Sequence, residues 1–437
     1  MAIVKNFRVG KWLPKDDQVL NNWLKNITKE AETANENRTL LPPVQLFKDL
    51  LDAKPHLKKL LEEAFAEVPN TPEYAIDAFG YPAIHNLDQM YKLINLIIQR
   101  PPAYYDNGLI GCPINALFNW AMGTKAGEEF FLNAEVNDAF RAILDYWGQY
   151  LMSPASACAL NTSPTGWLCP SAIEEMNKSA YGTSFTELFQ CKSDKVEEKF
   201  GFTSWDDFFT RLFNKGVRPI AAPDDSKVIA NACESAPYEI ATNVKKHAPY
   251  WVKGQPYSMA DIFDDEELTD QFVGGTIYQA YLSALSYHRW HAPITGTVTK
   301  AYIVPGMYYQ ASYSEGLIAG KDKDPASPDW SEAYLAETSP RAIVVIKADD
   351  PDIGLVAVIP IGMGEVSTCQ LEVKEGDHVT KGQEIGMFHF GGSTHILVFQ
   401  PQVEVEFDLH GQKPNLEAVN IPVCSKIATV KKKTTSA

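Results

Sequence analysis

Across the first 190 residues the apolar positions recur at three- and four-residue spacing, the repeat of a helix with one buried face. In VQLFKDLLDAKPHLKKLLEEAFAEV this puts Leu46, Phe47, Leu50 and Leu51 on one face. Leu57, Leu60, Leu61 and Phe65 repeat the pattern after Pro55, which ends the first helix. NALFNWAMGTKAGEEFFL and VNDAFRAILDYWGQYLM carry the same pattern, and SPASACALNTSPTG (153–166) interrupts it as a loop. The grammar changes near 195–225. SWDDFFTRLF predicts a short helix after Thr203-Ser204, and NKGVRPIAAPDDS ends it. From Val228 onward, short β-branched runs such as GTVTKAYIV, RAIVVIKA and GLVAVIPIG alternate with turns and predict strands. The expected fold is α+β: a helical N-terminal domain over 1–190, then a largely antiparallel β domain over 195–437.

Within the β domain, VKEGDHVTKGQEIGMF predicts a hairpin with Gly376 and Gly382 at turns and Val379 and Ile385 inward. Carrier domains share this grammar, so a non-catalytic binding module is one reading, although no carrier lysine sits at a comparable tip. The next run, MFHFGGSTHILVFQ (387–400), sets Gly391-Gly392-Ser393-Thr394 inside an apolar, strand-prone stretch. A hairpin turn explains this, because Gly-Gly suits positive φ. So does a reactive bond: the Ser393 hydroxyl can attack the accessible Gly392 carbonyl within the chain, where proximity replaces collision. The resulting ester, opened by β-elimination and hydrolysis, leaves a pyruvoyl group and ammonia.

Such a step needs a base. YHRWHAPITGTV (287–298) offers His288 and His291, which share a face if the segment is helical. They read as a general base and its companion, as two structural histidines, or as a metal pair, for which neither HExxH nor a third ligand is present. VIANACESAPYEI (228–240) offers Glu234, either a solvated turn carboxylate or the group that orients the base. A serine hydrolase built from Ser393, His291 and Glu234 would lack the Gly-x-Ser-x-Gly elbow.

Composition narrows the partners. The 437 residues hold 55 Asp and Glu against 39 Lys and Arg, for a net charge of −16. That balance disfavours nucleic acid and anionic lipid. The N-terminus shows no signal-peptide core, and LINLII (93–98) ends at Gln-Arg-Pro-Pro, so no membrane span is expected. Seven scattered Cys without CxxC fit a reducing compartment, and a cytoplasmic location is expected. GKDKDPASPDWSE (320–332) offers Asp322, Asp324, Asp329 and Glu332 without EF-hand spacing. It reads as a solvated loop, with a calcium effect on activity as the lesser alternative.

Three segments, in order, resemble the phosphatidylserine decarboxylase family of pyruvoyl enzymes. FTSWDDFFTRLFNKGVRPI resembles its Phe-rich helix and Arg-Pro-Ile. YHRWHAPITGTV resembles its Tyr-His-Arg-aromatic-His segment, and KGQEIGMFHFGGSTHILVF its Gly-Ser-Thr cleavage site. The resemblance implies cleavage between Gly392 and Ser393 into a β chain (1–392) and an α chain (393–437), with Ser393 becoming the pyruvoyl group. It implies that His291 is the self-cleavage base and that His288 assists decarboxylation or product protonation. ACES stands where the family has Ala-Asp-Gly or Ala-Asp-Ser, so the orienting carboxylate falls on Glu234, or its position on the poorly suited Cys233. The family's Schiff-base chemistry needs no PLP, because the chain supplies the electron sink. The helical first domain differs from the membrane anchor of the lipid enzymes, and the chain is most similar to the soluble fungal decarboxylases of L-tryptophan. The implied reaction is L-tryptophan to tryptamine and CO₂, with phosphatidylserine decarboxylation as the alternative. The helical part is expected to close over an apolar pocket, with Phe79, Tyr81 and His85 as candidate lining.

Overall fold

A computed structural model describes residues 12–34, 39–71, 74, 84–247, 257–313 and 331–433. The first half is helical. Pro42–Ala53 and Pro55–Glu67 each open with proline in the first turn, where a missing N–H costs nothing. They bury Val44, Phe47 and Leu51, then Leu57, Leu61 and Ala64. Leu46, expected inside, is 62% exposed, because one step of about 100° from Phe47 carries it off the buried stripe. Ala134–Met152 is capped by the Asn133 side chain and buries Phe140, Ile143, Leu144 and Trp147. NALFNWAMGTKAGEEFFL is three short pieces, Pro113–Phe118, Ala121–Gly123 and Lys125–Phe131, the last capped by Thr124.

Helix gives way to strand between Phe209 and Val228. The strands are β1 (Val228–Ala230), β2 (Ala236–Thr242), β3 (Thr276–Leu282), β4 (Arg289–His291), β5 (Gly296–Val304), β6 (Arg341–Ala348) and β7 (Leu355–Met363). They continue with β8 (Cys369–Leu371), β9 (His378–Val379), β10 (Glu384–Phe388), β11 (Gly392–Phe399), β12 (Val403–Phe407) and β13 (Lys426–Lys432). An antiparallel seven-stranded sheet runs β2-β3-β11-β7-β6-β5-β9, and two three-stranded sheets run β4-β10-β8 and β1-β13-β12. The architecture is α+β. One face of the large sheet packs Ile277, Ile359, Ile396 and Val398 against the helices Met259–Phe263, Glu266–Phe272 and Glu332–Thr338. The other packs Tyr278, Val358 and Leu397 against the small sheets through Trp290, Ile385, Phe388 and Ile427. Because β11 is covered on both faces, its sequence reads as a continuous apolar run without alternation.

The helical and β parts share one core. Tyr309 packs on Phe118 and Phe140 with ring centroids 5.8 and 5.0 Å apart. The expected hairpin over 373–388 is absent. Gly376 and Gly382 do sit at positive φ, and Val379 and Ile385 are buried, but β9 pairs with β5 while β10 pairs with β4 and β8. Two short neighbours in sequence thus serve different sheets, a choice that local pattern does not encode. Among the described residues no helix is long and apolar enough to cross a membrane.

Candidate active site

The run 387–400 is two strands in two sheets. β10 ends at Phe388, residues 389–391 cross over, and β11 begins at Gly392. Ser393 pairs with Leu282 on β3 and with Gly362 on β7, so Gly392-Ser393-Thr394 is not a hairpin turn. Neither Gly391 nor Gly392 takes positive φ; close approach is what demands glycine. A Cβ on Gly391 would lie 2.5 Å from the Ser367 Oγ, and one on Gly392 would lie 3.1 Å from the Met363 carbonyl oxygen. The crowding comes from the turn after β7, where Gly364, Glu365 and Ser367 hold φ of 57°, 32° and 43°. For the two non-glycine residues this is a costly conformation, of the kind that collects at functional sites. The Ser367 N–H donates to the Phe390 carbonyl at 2.9 Å, and its hydroxyl donates to the Gly364 carbonyl. Phe390 is wedged among Trp147, Trp205 and Phe209 at 5.8, 5.6 and 5.5 Å. The approach to Gly392 is therefore clamped, while the buried Ser393 Oγ has no hydrogen-bond partner.

The two histidines do not share a helical face. Residues 289–291 form β4, and extended backbone sends residues three apart to opposite sides. His288 is fully buried, its ring stacked on Phe209 at 4.0 Å, and neither ring nitrogen has a hydrogen-bond partner. Burial, aided by the nearby Arg211 guanidinium, pushes its pKa down to about 3, so the ring is neutral. Arg211 is fixed by the Phe208, Leu285 and Ser286 carbonyls. His291 has both nitrogens engaged, Nδ1 with the Gly382 carbonyl at 2.8 Å and Nε2 with the Tyr287 hydroxyl at 3.1 Å. A carbonyl can only accept, so Nδ1 carries the proton and Nε2 is the basic nitrogen. Burial also lowers the pKa of His291.

Glu234 is neither solvated nor on His291. It is 1% exposed and accepts from Arg218 Nε at 2.9 Å, Arg218 Nη2 at 2.5 Å and the Val423 N–H at 2.8 Å. The contact that orients His291 comes from Gly382 instead. The ACES segment still reaches this histidine, because the Ala232 carbonyl accepts the His291 N–H at 2.8 Å. Packing continues the connection: Arg218 lies over Phe213 at 4.2 Å, Phe213 stacks on Tyr287 at 4.4 Å, and Tyr287 bonds His291. Cys233 is buried in the core, its thiol pKa pushed well up by desolvation. With Ser393 Oγ unpartnered and both His291 nitrogens taken, a preformed hydrolase triad is absent.

Sequence reasoning missed several neighbours. His395 lies two residues after Ser393 on the same face of β11, fully buried, with both ring nitrogens unpartnered. It stands edge-on to Tyr278 at 6.1 Å, and burial pushes its pKa down to about 3. Its Ser-x-His spacing on a strand was visible in GGSTHIL. A cavity of about 70 Å³ lies against Gly392, lined by Trp12, Asn115 and Met122 from the helical part and by Tyr281, Glu332 and Met363 from the β part. Glu365 ties the two parts together: its Oε1 accepts the Asn115 N–H at 2.8 Å, and burial raises its pKa to about 8. Phe79 and Tyr81 fall outside the described residues, and His85 is exposed and does not line this cavity. Asp322, Asp324 and Asp329 also fall outside the described residues. Glu332, expected in a solvated loop, is buried at the start of a helix. Among the described residues no group of three His, Cys, Asp or Glu could hold a metal ion.

The residues present fit a pyruvoyl precursor: an orphaned serine oxygen, a glycine carbonyl before it, and a cradle that a Cβ would fill. Two profiles, each described as phosphatidylserine decarboxylase, match residues 41–176 and 205–417. The decarboxylase iboD of Amanita muscaria is 42% identical over 330 residues, 72% of this chain and 94% of that one. The L-tryptophan decarboxylase of Psilocybe cubensis is 33% identical over 92% of this chain and 90% of its own. That of Psilocybe cyanescens is 35% identical over 90% and 88%. The chain belongs to the phosphatidylserine decarboxylase family of pyruvoyl-dependent enzymes and is a carboxy-lyase.

Proposed function

We propose that the chain cleaves itself between Gly392 and Ser393 and then decarboxylates aromatic L-amino acids, foremost L-tryptophan to tryptamine and CO₂, in the cytoplasm. The buried, unpartnered Ser393 Oγ beside a glycine carbonyl at the head of a central strand carries the cleavage half of this reading. The two relatives named L-tryptophan decarboxylases, similar over nearly the whole chain, support the substrate.

In cleavage, the Ser393 Oγ attacks the Gly392 carbonyl carbon as its hydroxyl proton passes to His291 Nε2, which first gives up the Tyr287 hydroxyl bonded to it here. The Gly392–Ser393 C–N bond breaks as an ester forms through Oγ. Loss of the Ser393 Cα proton then expels the Gly392 carboxylate and leaves dehydroalanine, and one water releases ammonia and the new carbonyl. His291 is suited to this by tautomer, since the Gly382 carbonyl holds the Nδ1 proton and keeps Nε2 basic. Glu234 acts at a distance, holding Arg218 and with it the Phe213–Tyr287 stack. The pyruvoyl group at residue 393 supplies the electron sink for loss of CO₂. His288, a neutral ring, gives a proton to the substrate Cα from one nitrogen while its other nitrogen takes one up from water, which restores the neutral ring, and Phe209 covers its face.

The purified protein should run as two chains, 1–392 and 393–437, with the small one lighter by one ammonia than a serine-started peptide. Ser393→Ala should leave one chain, and His291→Ala should slow processing by about a hundredfold or more. An active but uncleaved wild type would overturn the proposal. Tryptophan and phosphatidylserine vesicles assayed side by side decide the substrate; turnover of the lipid alone would establish the alternative.

A further inference from the structure

A groove of about 540 Å³ opens where three parts of the chain meet. Tyr181 follows the helix Pro170–Ser179, Tyr238 and Tyr281 come from β2 and β3, and Val419 comes from the segment after β12. Tyr281 also lines the cavity against Gly392, so groove and cavity share a wall. In the sheet Tyr281 lies opposite Thr394, one residue past Ser393. The far rim is Ser283 and Leu285. The groove thus meets, through Tyr281, the cavity that reaches Gly392.

Its lining is costly unless it is used. Tyr181 is 58% exposed and holds a φ of 55°, a conformation that a bulky residue rarely adopts. Its hydroxyl donates to the Asn420 carbonyl at 2.5 Å, which fixes the ring at the groove wall. Val419 is 57% exposed beside it. The charged lining is Glu175, Lys178 and Glu417, two carboxylates to one ammonium. That balance repels a phosphodiester headgroup and tolerates a zwitterion. The volume lies within the usual range for small-molecule sites.

We propose that this groove is the side-chain subsite, in which Tyr181 and Tyr281 hold the ring of an aromatic amino acid while its α-amine reaches residue 393. The inference rests on the substrate class proposed above, but its test does not need turnover. The groove exists in the uncleaved chain, so the Ser393→Ala protein can be titrated calorimetrically with L-tryptophan and with tryptamine. Tyr181→Ala and Tyr281→Ala should each weaken binding about threefold to tenfold, the worth of one aromatic contact. Tyr281→Phe, which keeps the ring, should bind nearly as the parent does. Leu46→Ala, on an exposed helix face, should not change the affinity. In the processed enzyme Tyr181→Ala should raise KM more than it lowers kcat. Unchanged affinity in both folded tyrosine-to-alanine proteins, or a parent that binds neither ligand, overturns the groove assignment. If the processed wild type turns over only the lipid, the substrate reading fails; Tyr181-dependent binding of tryptamine would still uphold the groove as an aromatic-amine site.

Discussion

At the scale of single residues the site is built from polar groups held out of water. Glu234 and Arg218 form a buried pair whose side chains are 1% and 11% exposed. Burial pushes the Glu234 pKa upward, and the Arg218 hydrogen bonds oppose this. Removing one partner leaves an uncompensated charge, whereas removing both with apolar residues of similar size is often close to neutral. Glu234→Ala should therefore cost about 3–5 kcal/mol of stability. Chemical denaturation should show the double variant Glu234→Leu, Arg218→Met recovering most of it. Processing should slow in both, because the single variant leaves the guanidinium over the Phe213–Tyr287 stack unanchored and the double variant removes it. Full-rate processing in the double variant would remove Glu234 from any positioning role.

At the scale of elements, the decisive feature is the crossing between β10 and β11. A strand paired on both sides is the most constrained backbone available, and the proposed cleavage bond sits at its first residue. The crossing is fixed by Phe390 on one side and by the strained turn at residues 364–367 on the other. Phe390→Ala opens a cavity among Trp147, Trp205 and Phe209 and should cost about 3–5 kcal/mol. It should also slow appearance of the small chain, measured on gels during a chase, by more than the stability loss accounts for. Phe390→Leu, which refills most of the space, should restore much of both. The short helix Trp205–Phe209 belongs to the same clamp: Ser204 caps it, Phe209 covers His288, and Asp206 bonds His389 at 2.7 Å.

At the scale of the whole molecule, buried titratable groups pull stability in two directions. His288 and His395 have pKa values near 3 against an ordinary 6.5, so between these limits the unfolded chain takes protons that the native one refuses. Stability falls as pH drops through that window. Glu337 and Glu365, raised to about 8 from 4.5, hold protons in the native state that the unfolded chain gives up. Their contribution is lost as pH rises from 4.5 to 8. The windows overlap between 4.5 and 6.5, where the two slopes oppose, so the melting temperature of the Ser393→Ala chain should be highest there and fall on either side. His395→Leu should flatten the acid limb and Glu365→Gln the alkaline one; parallel profiles for parent and variants would contradict these assignments.

Much of the protein was written in the order of its residues. The division into helix and strand followed from apolar spacing, since burial on one face imposes a period of about 3.6 in a helix while β-branched runs fit a pleated sheet. Gly392, Ser393 and the two histidines could be singled out as candidates because unusual residues stood inside otherwise ordinary elements. Other features came only with the fold. Leu46 turned outward, the hairpin over 373–388 split between two sheets, and Glu234 met Arg218 where His291 had been expected. Gly391 and Gly392 were needed for contact with the 363–367 segment, not for backbone freedom. Each of these depends on pairing between residues far apart in the chain. A local pattern specifies which face is apolar, but not which distant surface that face will meet.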